Sequence, residues 1–218
     1  MIETETEQST DDTDVLRAGV VTIADDRALA TDESGDAAVT RLEGGGHEIS
    51  IREHVGNEYD RVQSIVERMI DRDDVDLVVT AGATSIEPDD VTLEAVGPLL
   101  EKELTAFDTL FTQLGHEQVG SRIVATRTLA GVAEGVPVFC LPGDADAVAL
   151  AIEDVILPEA NVLTDLASED RTADAEAGVD PAETGDAAED TDPAVGGDTK
   201  ESNGPDTNGD ATDRGGDS

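Results

Sequence analysis

The sequence predicts a three-layer α/β/α domain with a mainly parallel sheet, spanning residues 15–166 of the 218-residue chain. Two observations carry this prediction. Short apolar segments rich in β-branched residues alternate with segments whose apolar residues recur at helical spacing, which is the pattern of strands joined by crossover helices. These segments are confined to the middle of the chain, so the middle is the part that can build a core.

Charge divides the chain into the same three parts. It carries 52 acidic and 13 basic residues, a formal net charge of −39. Residues 1–14 hold six acids, and residues 167–218 hold 16 acids and three bases, which leaves 30 acids, ten bases and a net charge of −20 in residues 15–166. The first end is polar and the second has almost no large apolar side chain, so we expect both to be disordered. The tail would be a solvated segment or, alternatively, a partner-binding one.

A folded core this acidic indicates adaptation to high salt. Aromatic residues make up 2% of the chain, and Lys102 is the only lysine in residues 15–166. At about 1 M salt the Debye length is about 3 Å, so repulsion among the carboxylates is largely screened. The alternative is an acidic mesophilic protein.

Apolar periodicity predicts the elements of the first half. Val15–Ala24 is an apolar, β-branched segment and predicts a buried strand. A helix is expected over Asp36–Leu42, ending at the glycines of 44–46. Glu48–Val55 alternates like a second strand, and Tyr59–Asp71 has the apolar spacing of a helix.

The second half continues the alternation. Asp76–Thr80 predicts a short strand, and a helix is expected over Thr92–Glu103 after a loop that contains glycine and proline. The remaining predictions are a helix over Phe107–Leu114, two strands over Ile123–Leu129 and Val136–Leu141 joined by Ala130–Gly135, and a last helix over Ala145–Ile156.

Composition also restricts ligands and location. The core has no basic stripe to hold nucleic acid, which is therefore not an expected partner. The single Cys140 excludes an internal disulfide and a multi-cysteine zinc site, and its apolar neighbours predict a buried thiol. No apolar stretch reaches the roughly 18 residues that span a membrane, and the N-terminus has no signal-peptide pattern. We therefore expect a cytoplasmic protein without a membrane partner.

Three strand-to-helix loops are the candidate functional segments. Ligands of such sheets bind beyond the carboxyl ends of the strands, where residues 24–27, 80–92 and 141–148 are expected to gather. The helix N-termini that follow these loops present free N–H groups, which suit phosphates.

At these residues the chain resembles the MoaB/Mog family of molybdopterin adenylyltransferases, over about residues 15–166. Residues 88–95, Pro-Asp-Asp-Val-Thr-Leu-Glu-Ala, are similar to the family's Pro-x-Asp-Val-Thr-x-Glu-Ala, and residues 141–143 to its Leu-Pro-Gly loop. Further similar segments are Val21–Arg27, Asp32–Asp36, Val78–Ser85 and Glu103–Phe107. So many segments in the family's order argue against chance similarity.

The resemblance implies a MoaB/Mog-like fold that binds molybdopterin and transfers AMP to it from ATP with Mg²⁺. It also implies a homo-oligomer, a trimer or a hexamer. By motif position, Asp90 falls on the family's essential aspartate, with a role in positioning the metal or the phosphates. The substrate-binding positions would be Asp25, Arg27, Gly82, Thr84, Ser85, Pro142 and Gly143.

Each assignment has a structural alternative. Asp90 precedes a helix and would also serve as its N-cap. Thr84 could be an ordinary turn hydroxyl, and Arg27 could pair with nearby acids instead of clamping a phosphate. The three histidines lack metal-ligand spacing and are expected to be ordinary polar residues: His47, His54 and His116.

Four positions depart from the family's pattern. Ala83 and Ser85 stand where the family has glycines, which permit positive φ and close approach to phosphate. Asn57 stands at an acidic position, and an amide is a weaker cation ligand than a carboxylate. Asp144 replaces a serine at a helix start, where its charge would repel phosphate unless a cation intervened, although it would cap the helix.

Three functions remain open at this point. Asp90 and the Pro142-Gly143 loop favour a molybdopterin adenylyltransferase that uses ATP and Mg²⁺. The four departures favour a family member that binds or carries molybdopterin without adenylyl transfer. The third possibility is an acidic interaction protein that acts through its tail.

Overall fold

The computed structural model describes residues 14–25 and 31–177, with side chains as far as residue 168. Arg27 and most of the two ends expected to be disordered lie outside these residues, so the domain limits remain predictions. Within the described part of the chain, no helix is long and apolar enough to cross a membrane.

Strands and helices alternate along the chain. The strands are β1 (Arg17–Ile23), β2 (Glu48–Val55), β3 (Leu77–Ala81), β4 (Lys102–Glu103), β5 (Leu129–Ala133) and β6 (Val136–Leu141). The helices are α1 (Glu33–Gly44), α2 (Tyr59–Ile70), α3 (Thr92–Val96), α4 (Thr105–Val119), α5 (Ala145–Ala151) and α6 (Leu157–Ala177). Short 3₁₀ segments follow α3 and α4 at Gly97–Leu99 and Gly120–Ala125.

The strands form one six-stranded sheet in the order β2-β1-β3-β6-β5-β4. The pairs β2-β1, β1-β3 and β3-β6 are parallel, whereas β6-β5 and β5-β4 are antiparallel. The prediction of a mainly parallel sheet is therefore confirmed. The parallel part brings the carboxyl ends of four strands to the same edge, where ligands of such sheets bind.

Helices cover both faces of this sheet, which confirms the three layers. Helices α1, α4 and α5 pack on one face, where Leu42 and Phe111 are buried with Val20 of β1. Helices α2 and α3 pack on the other face, where Met69 is buried with Val21. Val20 and Val21 serve different layers because successive strand side chains point to opposite faces.

The predicted helix over Thr92–Glu103 is wrong beyond its first turns. Helix α3 ends at Val96, because Gly97-Pro98 interrupts it and proline has no N–H to continue the hydrogen-bond ladder. The backbone is in an extended conformation at Leu100, and Lys102–Glu103 pairs with β5 as an edge strand. The helical spacing of apolar residues therefore extended into residues 102–103, which pair with β5 in the folded protein.

The predicted strand over Ile123–Leu129 is also wrong, because the strand begins at Leu129. Glu134 and Gly135 both have positive φ, 49° and 75°, which makes a tight two-residue hairpin turn with the right-handed twist of its strands. The small residues 130–133 have weak β-propensity, yet a Cβ on Gly131 would lie 2.4 Å from the Lys102 carbonyl oxygen. The close approach of β4 therefore requires glycine at position 131, and glycine has a low β-propensity, which is why the sequence pattern did not indicate a strand here.

Three helices are longer than predicted. Helix α1 begins at Glu33 and α4 covers Thr105–Val119. The last helix does not end at Ile156, since a π-helical turn at Ile152–Ile156 leads directly into α6. Ala160 and Ala167 of α6 are buried, so this helix still contributes to the core after the predicted end.

Candidate functional site

Four loops meet at the carboxyl edge of the parallel strands. Asp25 follows β1, Asn57 follows β2, Gly82 follows β3 and Gly143 follows β6. Three of these loops were predicted to be functional, and the structure brings them together with the loop after β2. This arrangement is a consequence of parallel strand order, and it joins residues more than 100 positions apart in the sequence.

Gly82 and Gly143 allow two of these loops to touch. Gly82 has φ +108°, and a Cβ there would lie 2.3 Å from the Ile23 carbonyl oxygen. A Cβ on Gly143 would lie 3.1 Å from the Gly82 Cα. Neither position has room for a side chain without movement of the backbone, so both glycines are required by packing at the floor of the site.

Ala83 adopts the left-handed conformation that glycine would prefer. Its φ is +51°, which costs an L-residue about 1–2 kcal/mol. Its carbonyl oxygen accepts a hydrogen bond from Thr92 N at 3.0 Å, and Thr92 Oγ1 donates to the Gly82 carbonyl at 2.8 Å. The start of α3 therefore holds the loop in a glycine-type path although one expected glycine is an alanine.

Asp90 is a partner of this loop and not a helix cap. Its Oδ2 accepts a hydrogen bond from Ser85 N at 2.7 Å, and its Oδ1 lies 3.4 Å from Asn57 Nδ2. The N-cap of α3 is Val91, which makes no side-chain capping bond. The capping alternative for Asp90 is therefore wrong, because the carboxylate points back across the loop and into the site.

Asn57 connects three of the loops. Its backbone N donates to Asp25 Oδ1 at 2.8 Å, and its Nδ2 donates to the Asp89 carbonyl. Its Oδ1 is buried and has no hydrogen-bond partner among the described residues. The amide thus ties the loop after β2 to the residues before α3, while its own oxygen stays without a hydrogen-bond partner in the described part of the chain.

A cavity of about 390 Å³ lies between these loops. We call it the acidic lobe, because its charged lining residues are Asp25, Glu87, Asp89 and Asp90, with Asn57 beside them. The donor atoms are oxygens, as Mg²⁺ requires, and the unpartnered Asn57 Oδ1 adds one more. Within residues 14–25 and 31–177, no three His, Cys, Asp or Glu side chains form a metal-binding group by themselves. Mg²⁺ commonly takes one or two protein carboxylates and completes its shell with water and substrate phosphates, so this lining fits it.

A second cavity of about 370 Å³ adjoins the first and shares Ala83, Glu87, Asp90 and Gly143 with it. We call it the arginine lobe. Its other polar lining residues are Thr84, Ser85, Thr126, Arg127 and Asp144. Thr84 is buried, and Ser85 Oγ accepts a hydrogen bond from Glu87 N at 3.1 Å. The sequence motifs did not identify Arg127, which lies in a segment predicted to be a strand.

The buried Asp32 forms a hydrogen-bond network behind the lining of the acidic lobe. Asp32 caps α1 by accepting from Gly35 N at 2.9 Å, and its other oxygen accepts from Thr22 Oγ1 at 2.6 Å and from Arg52 at 2.9 Å. Burial by itself would raise the pKa of Asp32, but these hydrogen bonds outweigh it and lower the pKa below its ordinary value. Because Thr22 lines the lobe, the network fixes the end of β1.

Four more residues that the sequence analysis considered have definite places. Pro142 lines the arginine lobe, and Asp144 caps α5 by accepting from Ala147 N at 3.0 Å, as expected. Cys140 is buried, and burial raises the pKa of its thiol to about 12. His47 is buried as well and accepts a hydrogen bond from Leu16 N, at the opposite edge of the sheet.

Known proteins are similar to this chain in sequence and in fold. The family described as "Probable molybdopterin binding domain" matches residues 19–161. Molybdenum cofactor biosynthesis protein B of Bacillus subtilis (strain 168) is 39% identical over 147 residues, which cover 67% of this chain and 86% of that protein. The same protein of Staphylococcus aureus (strain MRSA252) is 37% identical over 151 residues, 68% of this chain and 89% of that protein.

Solved structures agree with the sequence relatives. A crystal structure of a molybdenum cofactor biosynthesis protein B superposes with a TM-score of 0.70 at 36% identity, covering 72% of this chain and 98% of that one. The tungsten cofactor synthesizing protein MoaB from Pyrococcus furiosus superposes with a TM-score of 0.65 at 31% identity, covering 70% of this chain and 97% of that one. The chain therefore belongs to the molybdopterin-binding domain family that includes the MoaB proteins.

Proposed function

We propose that this protein acts in molybdenum cofactor biosynthesis and transfers AMP from ATP to molybdopterin in the presence of Mg²⁺. The observation that carries the proposal is the convergence of oxygen ligands from three loops on the acidic lobe. These ligands belong to Asp25, Asn57 and Asp90, and the loop after β3 lies directly beside them. The relatives are named for molybdenum or tungsten cofactor synthesis, which supports the same substrate class.

The reaction requires two phosphorylated molecules to meet. An oxygen of the pterin phosphate forms a bond to the α-phosphorus of ATP, and the bond from that phosphorus to the β-phosphate oxygen breaks, releasing pyrophosphate. Carboxylate oxygens of Asp25 and Asp90, with Asn57 Oδ1, would hold Mg²⁺ at this point. When bound, Mg²⁺ supplies charge neutralisation for the phosphates, which the acidic lobe would otherwise repel.

The loop after β3 supports transfer over simple storage. Ala83 keeps the positive φ of a glycine, and both lobes remain open beside it. Asp90 holds the loop through Ser85 N, so the carboxylate and the backbone N–H groups are ordered together. An ordered set of donors costs little rearrangement when charge develops during the reaction.

A second candidate function is binding of molybdopterin without AMP transfer. The observation that favours it is the Asn57 amide, which stands where the family has an acid. Its Nδ2 already donates to the Asp89 carbonyl and approaches Asp90 Oδ1 at 3.4 Å. That contact reduces the negative charge that Asp90 offers to a cation, so a weakened metal site would leave a protein that carries the pterin.

Transfer of labelled AMP separates the two functions. The full chain in molar KCl is incubated with molybdopterin and ATP labelled at the α-phosphate, with MgCl₂ or with EDTA. The proposal predicts labelled pterin adenylate and pyrophosphate with MgCl₂ and neither with EDTA or without pterin. Binding of molybdopterin without any labelled product would refute AMP transfer and support the second function, binding of the pterin without transfer. Absence of both would exclude both functions.

The oligomer remains a prediction. The family resemblance implies a trimer or a hexamer, and the described residues are those of a single chain. Light scattering of the full chain in molar KCl tests it, and a monomer would contradict it.

A further inference from the structure

Arg127 lies at the junction of the loop after β3 and helix α3. Its Nη1 donates to the Ser85 carbonyl oxygen at 3.2 Å, and its Nη2 donates to Glu94 Oε1 at 2.5 Å. About a third of its side chain is exposed, 35%, and the exposed part lines the arginine lobe. Arg127 is the only base among the described residues that line either lobe.

The contacts of Arg127 leave part of the guanidinium available. This group carries five N–H donors, and the bonds to Ser85 and Glu94 use two of them. The carboxylates of Glu87, Asp90 and Asp144 line the same lobe, and Arg127 is the base that offsets part of their negative charge. The lobe also offers the hydroxyl groups of Thr84 and Thr126. A guanidinium among hydroxyl groups is a combination that can bind an oxyanion.

We infer that Arg127 binds a phosphate group of a substrate in the arginine lobe, and that Glu94 holds the guanidinium in place and limits its affinity for that phosphate. The inference deepens the proposed function and rests on it for the identity of the substrates. A phosphate can come from the nucleotide or from the pterin, and both present the same oxyanion to a planar guanidinium. The two lobes would then bind different ligands: the acidic lobe binds the cation and the arginine lobe binds a phosphate.

The ion pair between Arg127 and Glu94 predicts the direction in which a change of Glu94 alters phosphate binding. Glu94 is an exposed residue of the first turn of α3, and its hydrogen bond from Arg127 lowers the pKa of the Glu94 carboxyl. A bound phosphate competes with the Glu94 carboxylate for the Arg127 guanidinium. Glu94→Gln removes the competing charge and keeps an acceptor oxygen, so it should strengthen phosphate binding. Loss of Arg127 should weaken it.

The alternative is that Arg127 only ties the loop after β3 to α3. A tie of this kind would be weakened by either change, so Glu94→Gln and Arg127→Ala would then alter ligand binding in the same direction. Arg127→Lys separates the cases further, because lysine keeps the charge but not the paired N–H groups of the guanidinium.

Calorimetric titration of the full chain tests the inference. Wild type, Arg127→Ala, Arg127→Lys and Glu94→Gln are titrated in molar KCl with MgCl₂, first with ATP and separately with molybdopterin. Arg122→Ala is the matched control, because Arg122 is an exposed base outside both lobes. Thermal midpoints confirm that each variant is folded, and Arg127→Lys with Glu94→Gln decide the question if Arg127→Ala does not fold.

We expect Arg127→Ala to lose about tenfold or more in affinity for one of the two probes, Arg127→Lys to lose less, and Glu94→Gln to gain. The probe affected identifies the source of the phosphate. Unchanged binding in Arg127→Ala, changes of one sign in both variants, or no binding of either probe by wild type would overturn the inference. A wild type that binds through Arg127 but transfers no AMP would refute the proposed function alone.

Discussion

The Asp90 carboxylate and the Ser85 backbone N–H face each other across the loop after β3, with 2.7 Å between Oδ2 and N. The bond closes a short turn of the chain and orients the second oxygen of Asp90 towards Asn57. One side chain therefore orders the loop and also presents a charge to the acidic lobe. These two roles respond differently to substitution.

Asp90→Asn should separate the roles. Asparagine keeps an oxygen that can accept from Ser85 N, so folding should lose only about 1 kcal/mol, the difference between a charged and a neutral hydrogen bond. The substitution removes the negative charge on which cation binding depends, so we expect no measurable AMP transfer. Thermal unfolding and the labelled-ATP assay measure the two effects. Asp71→Asn, which removes an exposed charge at the opposite edge of the sheet, should retain transfer. Equal transfer by Asp90→Asn and wild type would refute the assignment of Asp90.

Ala83→Gly should stabilise the fold. Ala83 has φ +51°, and glycine has no Cβ to strain in that conformation. We expect a gain of about 1 kcal/mol in the free energy of unfolding, after allowance for the greater freedom of the unfolded glycine. Denaturant titration measures it. Gly82→Ala is the opposite control and should destabilise, because its Cβ would meet the Ile23 carbonyl. A destabilised Ala83→Gly would show that the left-handed φ is not a source of strain.

Salt should stabilise the folded domain. In residues 15–166 the 30 acids outnumber the ten bases, so the carboxylates repel one another at low ionic strength, and molar KCl screens that repulsion. We propose that this core is adapted to such salt, and we expect the thermal midpoint to rise steeply from low to molar KCl. Sucrose at matched water activity controls for general solute effects. A midpoint independent of KCl would contradict the adaptation.

His47 should make stability fall as the solution is acidified. Burial lowers the pKa of His47 below its ordinary value, so the folded protein keeps the imidazole neutral while the unfolded chain takes up a proton. The unfolded state then binds more protons, and the free energy of unfolding decreases as the pH falls below about 6.5.

Denaturant titration from about pH 7.5 to about pH 5.5 measures this decrease. His47→Asn keeps a hydrogen-bond acceptor for Leu16 N and should flatten the pH dependence. The exposed His116, changed to asparagine, should leave the dependence as it is in wild type. If His47→Asn and wild type have the same slope, another group is responsible.

Much of the fold was predictable because apolar periodicity records which faces are buried. The strand Glu48–Val55 has the predicted limits, and the strand and helix around it differ by a few residues. The failures lie where long-range pairing overrides local preference. Lys102–Glu103 joins the sheet only because β5 lies beside it, and the strand at 129–133 needs small residues for that contact.

The sequence by itself determined the chemistry available at the carboxyl edge of the sheet. The ordered motifs around Asp25, Gly82, Asp90 and Gly143 identified the loops, because parallel strands bring their ends together whatever the details of packing. Composition likewise determined the acidity of the surface, since charge is a sum over residues and does not depend on their positions.

Only the tertiary structure decided which residues meet inside that edge. Asp90 turns away from its own helix to Ser85 N, although the local sequence is equally that of an N-cap. Arg127 enters the site from a segment with no motif, because the chain after α4 returns past Glu94 and the Ser85 carbonyl. Each of these hydrogen bonds depends on a backbone path that apolar periodicity does not encode, so the pairing of these residues is seen only in the folded chain.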